Sequence, residues 1–266
     1  MVGVEESARV ALKTRWAGAG VEPGDTVLVH SSIKRTLAEC RRAGFVVEPG
    51  HVLQSFLDAV GARGTLLLPL FNFDFTSGTP FDIRHTPSKM GALTESGRVH
   101  AEAVRTGHPV YSFAAIGYRS KEFENIDNES GYSEESPFGI LKRIDGKIAV
   151  LDLDDQNSMT FYHHVEEVKK VDYRFFKTFT APYTDWHGVM ANKSYRLYVR
   201  DLENGVRTHV NPAGELLWEK GLYKGDRPLV GSGLRVVRSK AMFNLVEQII
   251  EQGNALGMLY SLENSP

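Results

Sequence analysis

Short runs of consecutive apolar residues set the frame of this chain. Residues 26–30, 65–69 and 147–153 each read as a strand buried on both faces, because an unbroken apolar run suits a strand covered on either side. Around them the period changes to that of a helix. Residues 5–19 and 50–60 carry apolar positions three and four apart, and so do 90–103, 160–170 and 239–253, with Ser239 as the expected N-cap of the last. A further strand is expected over 110–116 and a short helix over 136–143, entered through Ser136-Pro137. The strand–helix–strand order across 26–69 favours parallel pairing with a right-handed crossover.

Two stretches break this rhythm. Residues 71–90 have no regular period and read as a long loop, a length that compact domains keep for function. Residues 171–235 alternate apolar and polar positions and are rich in aromatics, with turns expected at Asn204-Gly205 and Asn211-Pro212. They read as antiparallel strands added to the main core. The expected architecture is a three-layer α/β/α core around a largely parallel or mixed sheet, plus a smaller antiparallel β insertion. Residues 1–266 are expected to form one domain, with 171–235 as its β-rich, substrate-side subregion.

The 266 residues carry a formal net charge of -2, which argues against a nucleic-acid partner, since that needs a basic face. No segment reaches the ~18 apolar residues of a membrane span, and the acidic N-terminus lacks a signal-peptide core. A cytoplasmic protein without a membrane partner is the expectation. The single cysteine, Cys40, excludes an internal disulfide and a cysteine-based zinc site.

Four clusters carry candidate chemistry. In 159–167, helical spacing places His163 and Glu166 on one face and His164 and Glu167 on the next. A carboxylate beside an imidazole fixes its tautomer and raises its basicity, as a general base requires. The same pattern also suits an ordinary solvated His–Glu pair. A hydrolytic metal site on His163, His164 and Glu166 is the other alternative, but adjacent histidines point apart and no metal is expected. The second cluster, His30, Ser31, Ser32, Lys34 and Arg35, ends the first strand, where ligands of open α/β sheets bind. The third spans 105–113. The fourth is the loop with Asp74, Phe81 and Asp82, where carboxylates and aromatics suit a cationic amine and a sugar face.

Taken in order, these segments resemble the aminoglycoside 3-N-acetyltransferase family. Residues 24–32 look like its first strand and coenzyme loop, and 64–69 like its second strand. Phe81-Asp82, Thr86-Pro87-Ser88, 90–93 and Glu95 to Arg98 look like its substrate-side loop. Arg105-Thr106-Gly107-His108-Pro109 with 112–115 resembles its Arg-Ser-x-His-Pro segment. Ser136-Pro137-Phe138 resembles a coenzyme-side turn, and Thr160-x-x-His163-x-x-Glu166 its Thr-x-x-His-x-x-Glu signature. The resemblance implies an acetyl-CoA-dependent N-acetyltransferase acting by direct transfer. It makes His163 the base, Glu166 its orienting partner and Thr160 a neighbour of the thioester. It implies a coenzyme site lined by His30, Ser31, Ser32, Lys34, Arg35, Arg105, His108, Ser112 and Phe138. Asp74, Phe81, Asp82 and Glu95 would face the amine.

The chain departs from the family pattern at Met159, where Asn is usual, and at His164, where Leu is usual. Arg174 and Lys177 place two cations near the expected amine pocket, where they would repel a polycation and welcome an anionic group. The expected partner is therefore a small amino-sugar-like amine. The alternatives are a resistance enzyme for aminoglycosides, a biosynthetic enzyme for a phosphonate- or nucleotide-linked amine, and a non-catalytic module that binds coenzyme A or an amino sugar. The oligomeric state stays open, a homodimer included.

Overall fold

A computed structural model describes residues 2–263. In chain order the elements are α1 (Val2–Gly18), β1 (Thr26–Ser31), α2 (Lys34–Arg42), α3 (Pro49–Val60), β2 (Thr65–Pro69), β3 (Phe81–Asp82), α4 (Ala92–Arg98), β4 (Val104–Arg105) and β5 (Phe113–Gly117). They continue with α5 (Pro137–Arg143), β6 (Lys147–Leu151), α6 (Phe161–Lys169), β7 (Arg174–Thr184), β8 (Met190–Arg200) and β9 (Val206–Thr208). The last are α7 (Asn211–Glu219), β10 (Lys224–Gly225), β11 (Leu234–Arg238), α8 (Ser239–Glu251) and β12 (Tyr260–Leu262).

The main sheet runs β10-β11-β6-β1-β2-β5-β4. Its centre is parallel, with β1 between β6 and β2, and its flanks are antiparallel. The apolar runs explain this placement, because alternate residues of one strand serve opposite faces. Val27 and Val29 pack with Trp16 of α1 and Phe56 of α3, while Leu28 packs with Val165 of α6 and Val246 of α8. Trp16 stacks on Phe56 at 4.6 Å and donates to Ser55 Oγ at 2.8 Å, which locks α1 to α3. The result is the three-layer α/β/α core with a mixed sheet. Beside it stand a β3-β7-β8 sheet, dominated by the antiparallel β7–β8 hairpin, and a β9–β12 pair.

Several elements differ from the sequence reading. A helix, α2, to which no sequence period pointed, follows β1 directly and carries Lys34 and Arg35. The helix expected over 90–103 shrinks to α4, because Gly91 at φ 114° stands outside it and His100 Nδ1 accepts from Glu102 N in a closing turn. The strand expected from 110 begins at Phe113, because the amides of Val110 and Tyr111 are spent on His108 Nδ1. Asn211-Pro212 opens α7 rather than a turn, Pro being well suited to a first helical turn. Ser239 does not cap α8, since its hydroxyl donates to Leu141 O and Arg238 is the cap residue.

Candidate functional site

Strand order reverses about β1, because its two parallel neighbours, β2 and β6, leave in opposite directions. That is where ligands of open α/β sheets bind. A cleft of about 620 Å³ opens there, a size typical of small-molecule sites. His30 and Ser31 end β1 in its wall, Pro69 ends β2, and Leu153, Asp155 and Gln156 follow β6. Met159, Thr160 and His163 enter from the start of α6. The hairpin closes the far side with Arg174, Leu197, Tyr198, Val199 and Arg200.

The sharpest geometry is at His163. Its Nδ1 lies 2.7 Å from Glu166 Oε2, one turn along α6. Of the two neighbours of Nδ1, the carboxylate can only accept and Arg174 Nη2, farther off at 2.9 Å, can only donate; the shorter carboxylate contact favours the proton on Nδ1, which leaves Nε2 for the cleft. Glu166 is fully buried. It is held by Arg174 Nε at 2.8 Å and by the Tyr173 hydroxyl, which donates to Oε1 at 3.1 Å. Burial pushes the Glu166 pKa up, but Arg174, His163 and Tyr173 outweigh it and hold it below the usual carboxylate value. His163 is lowered from 6.5, first by burial and then by Arg174, against the opposing pull of Glu166. The ring is therefore a neutral imidazole beside an ionised carboxylate–guanidinium pair. The Tyr132 ring meets it edge-on at 5.4 Å, with the Tyr132 hydroxyl bonded to that of Tyr111 at 2.5 Å.

His164 faces the other way. Its Nδ1 bonds the Tyr132 carbonyl at 2.7 Å, and its ring packs against Phe161 and Phe243 in the core. The two histidines thus do not converge, and among the described residues no cluster of three His, Cys, Asp or Glu could hold a metal ion. Cys40 is a buried free thiol in α2.

The other candidate residues divide into two groups. His30, Ser31, Thr160 and Arg174 line the cleft with His163. His30 is buried, its pKa is lowered to about 3 by burial and then Arg235, and its Nε2 has no partner. The rest lie outside the lining. Ser32 is half-buried, and its amide donates to Leu151 O. Lys34 is exposed on α2. Arg35 is clamped between Asp152 and Glu39 at 2.9 and 2.7 Å. Arg105 is buried; it donates to the carbonyls of Ile83 and Thr86 and to Ser112 Oγ. His108 is buried, its pKa lowered to about 4 by burial. Phe81 and Phe138 are core residues. Asp74 pairs with Lys89, Asp82 with Arg84 and Glu95 with Arg98. Lys177 is exposed on β7, its ammonium 5.5 Å from the Phe179 ring.

Sequence reasoning missed Tyr132, Tyr173, Asp155, Tyr198 and Arg200. Only Tyr173 carried a local signal, as the residue before Arg174. Tyr198 and Arg200 arrive through the hairpin register, Asp155 through the turn after β6 and Tyr132 through the irregular segment before α5, none of which a short motif encodes.

The family model described as aminoglycoside 3-N-acetyltransferase matches residues 28–251. An SPbeta prophage-derived aminoglycoside N(3')-acetyltransferase-like protein of Bacillus subtilis (strain 168) is 28% identical over 166 residues, which is 54% of this chain and 59% of that protein. Aminoglycoside N(3)-acetyltransferase IX of Micromonospora chalcea is 25% identical over 65% of this chain and 66% of its own length. The chain thus spans somewhat under two thirds of these curated relatives. Among solved structures, aminoglycoside acetyltransferase AAC(3)-Xa superposes with a TM-score of 0.76 at 23% identity, covering 92% of each chain. AAC-IIIb in a binary complex with CoASH gives 0.77 at 20%, covering 97% of this chain and 98% of that one. At these identities the solved structures establish a shared fold.

Proposed function

Since the chain belongs to the aminoglycoside 3-N-acetyltransferase family, we propose that it transfers an acetyl group from acetyl-CoA to a primary amine of a small amino-sugar or aminoglycoside-type substrate. The observation that carries this reading is the His163–Glu166–Arg174 array at the sheet's switch point, with His163 and Arg174 in the cleft wall and Glu166 buried behind them.

The chain's own residues account for the steps. His163 Nε2 takes a proton from the amine as its nitrogen attacks the thioester carbon. The carbon–sulfur bond then breaks, and the proton passes from His163 to the departing thiolate. Glu166 stays ionised and stabilises the imidazolium between these steps. Acetyl-CoA, the acyl donor, supplies the activated carbonyl. The residues present fit it on one structural count, the buried and unpartnered His30 Nε2 in the cleft wall. A thioester oxygen would give that atom the partner it lacks. Ser31 and Thr160 present hydroxyls to the same cleft.

Arg174 weighed against a polycationic acceptor in the sequence, but its charge is neutralised by Glu166 and Lys177 stands outside the cleft. That objection to aminoglycoside-type amines therefore falls. The test is thiol release from acetyl-CoA with a panel of amino sugars and aminoglycosides. His163→Ala should lower kcat by ~10²–10⁴-fold, the usual contribution of a general base, with a circular-dichroism spectrum like that of the parent. Near-parental turnover by the variant would reject His163 as the base.

A further inference from the structure

Arg200 lines the cleft from the last position of β8. It is half-buried, and its one side-chain hydrogen bond is a long one, 3.3 Å, to Thr208 Oγ1. No carboxylate among the described residues pairs with it. The cations around it are otherwise served. Arg174, directly opposite in the hairpin register, has Glu166, and Arg207 has Glu263 at 2.5 Å. Among the described residues the only acid lining the cleft, Asp155, is already held by Arg235 at 2.7 Å and by the hydroxyls of Tyr162 and Tyr223.

Like charges directly opposite on paired strands cost stability. Here only Arg174 is answered by a carboxylate, and burial together with Arg174 disfavours the charge on Arg200. A guanidinium kept uncompensated at such a place is preorganised for an anion, because its planar fork bonds carboxylate and phosphate oxygens in pairs. The geometry points to Arg200 as the specificity residue of the acceptor: the preferred amine substrate carries an anionic group, phosphate or carboxylate, that pairs with this guanidinium. This inference rests on the acetyl-transfer reading and narrows its substrate class.

Coenzyme A also carries phosphates, but they are separated from its thioester by the whole pantetheine arm. Arg200 stands at the reacting end. Its register partner Arg174 touches His163, with Nη2 2.9 Å from Nδ1, and its charge contributes to lowering the His163 pKa. An anion bound there belongs to the molecule that holds its amine against His163. A polycation, by contrast, would meet an uncompensated positive charge and no free carboxylate.

The test compares three acceptors: glucosamine 6-phosphate, glucosamine and a polycationic aminoglycoside. Each is measured for thiol release with acetyl-CoA and, separately, for equilibrium binding by calorimetry. The parental protein should prefer glucosamine 6-phosphate over glucosamine by ~10-fold or more in kcat/KM, and Arg200→Gln should abolish that preference. The acceptor KM should rise by roughly 10–100-fold, the scale of lost charge-assisted hydrogen bonds, while the acetyl-CoA KM moves little. Arg200→Lys, which keeps the charge and the fold, should retain part of the preference. A rise confined to the acetyl-CoA KM would assign the anion to the coenzyme and overturn the proposal. A better aminoglycoside substrate that is indifferent to Arg200→Gln would overturn it too, leaving acetyl transfer intact. Arg200-dependent binding of glucosamine 6-phosphate without thiol release from any acceptor would support the anion site and sink the transfer reading instead. Binding that ignores both the phosphate and Arg200 would overturn the proposal whatever the turnover.

Discussion

At the residue scale the proposed base, His163, must be unprotonated at neutral pH. Its availability is complete above its pKa and is lost as pH falls through it. Burial and Arg174 set that pKa below 6.5. The kcat/KM profile should therefore show an acid limb with its midpoint below 6.5 and a plateau through neutrality. Arg174 is a positioning residue in this account, touching Glu166 and the imidazole but needing no contact with substrate. Arg174→Gln removes one of the influences that lower His163, so the acid limb should move to higher pH. Arg174→Lys keeps the positive charge and should leave the limb near its parental position. A limb that does not move in Arg174→Gln would show that the guanidinium does not tune the base. The His163–Glu166 pair was visible in the sequence because it sits one helical turn apart. Arg174 was visible only as a loose cation. Its role depends on where β7 begins relative to α6, which spacing does not encode.

At the scale of elements, what could be read and what could not follow a physical divide. The central strands and α3, α5, α6 and α8 announced themselves because their apolar positions repeat over enough residues to define a face. α2 did not, since Lys34, Arg35, Glu39, Arg41 and Arg42 surround its only apolar stripe, Ile33, Leu37 and Cys40. α7 was hidden behind an Asn-Pro pair that serves turns and helix starts alike. The placement of β11 beside β6 is a tertiary fact with no local sign. One close packing of elements is legible only in the structure. Gly139, in the first turn of α5, lies against the Glu134 carbonyl, where a Cβ would collide with backbone. α5 in turn carries Phe138, whose ring contacts Tyr132, the aromatic neighbour of His163. Gly139→Ala should cost about 1–3 kcal/mol, as overpacking does. That corresponds to a Tm lower by roughly 2–12 °C for a chain of this size. An unchanged Tm in thermal unfolding would mean that α5 shifts freely, and the Tyr132 wall would not be rigid.

Across the whole molecule, the cleft is assembled from three parts that meet at one buried carboxylate. Asp155 follows β6 and accepts from Tyr162 of α6, from Tyr223 after α7, and from Arg235 of β11, each at 2.7 Å. Arg235 is almost fully buried and also donates to the Leu153 carbonyl. Gly214 of α7 packs against the same carboxylate, where a Cβ would come 2.6 Å from Asp155 Cγ. The parallel centre of the sheet, its antiparallel flank and the helix bearing His163 are thus tied at one side chain that also faces the cleft. Such a pair has a lopsided energetics. Keeping both charges gains little over apolar packing, but removing one strands the other in the core at about 3–5 kcal/mol. Asp155→Asn should accordingly lower Tm by roughly 6–20 °C. The double variant Asp155→Asn with Arg235→Met should recover most of that loss, because no buried charge is then left unpaired. The measurement is a double-mutant cycle by calorimetry. Additive losses in the double variant would mean that the carboxylate and the guanidinium act separately. The turn after β6, the edge of the sheet and α6 would then be held in register by something other than this ion pair.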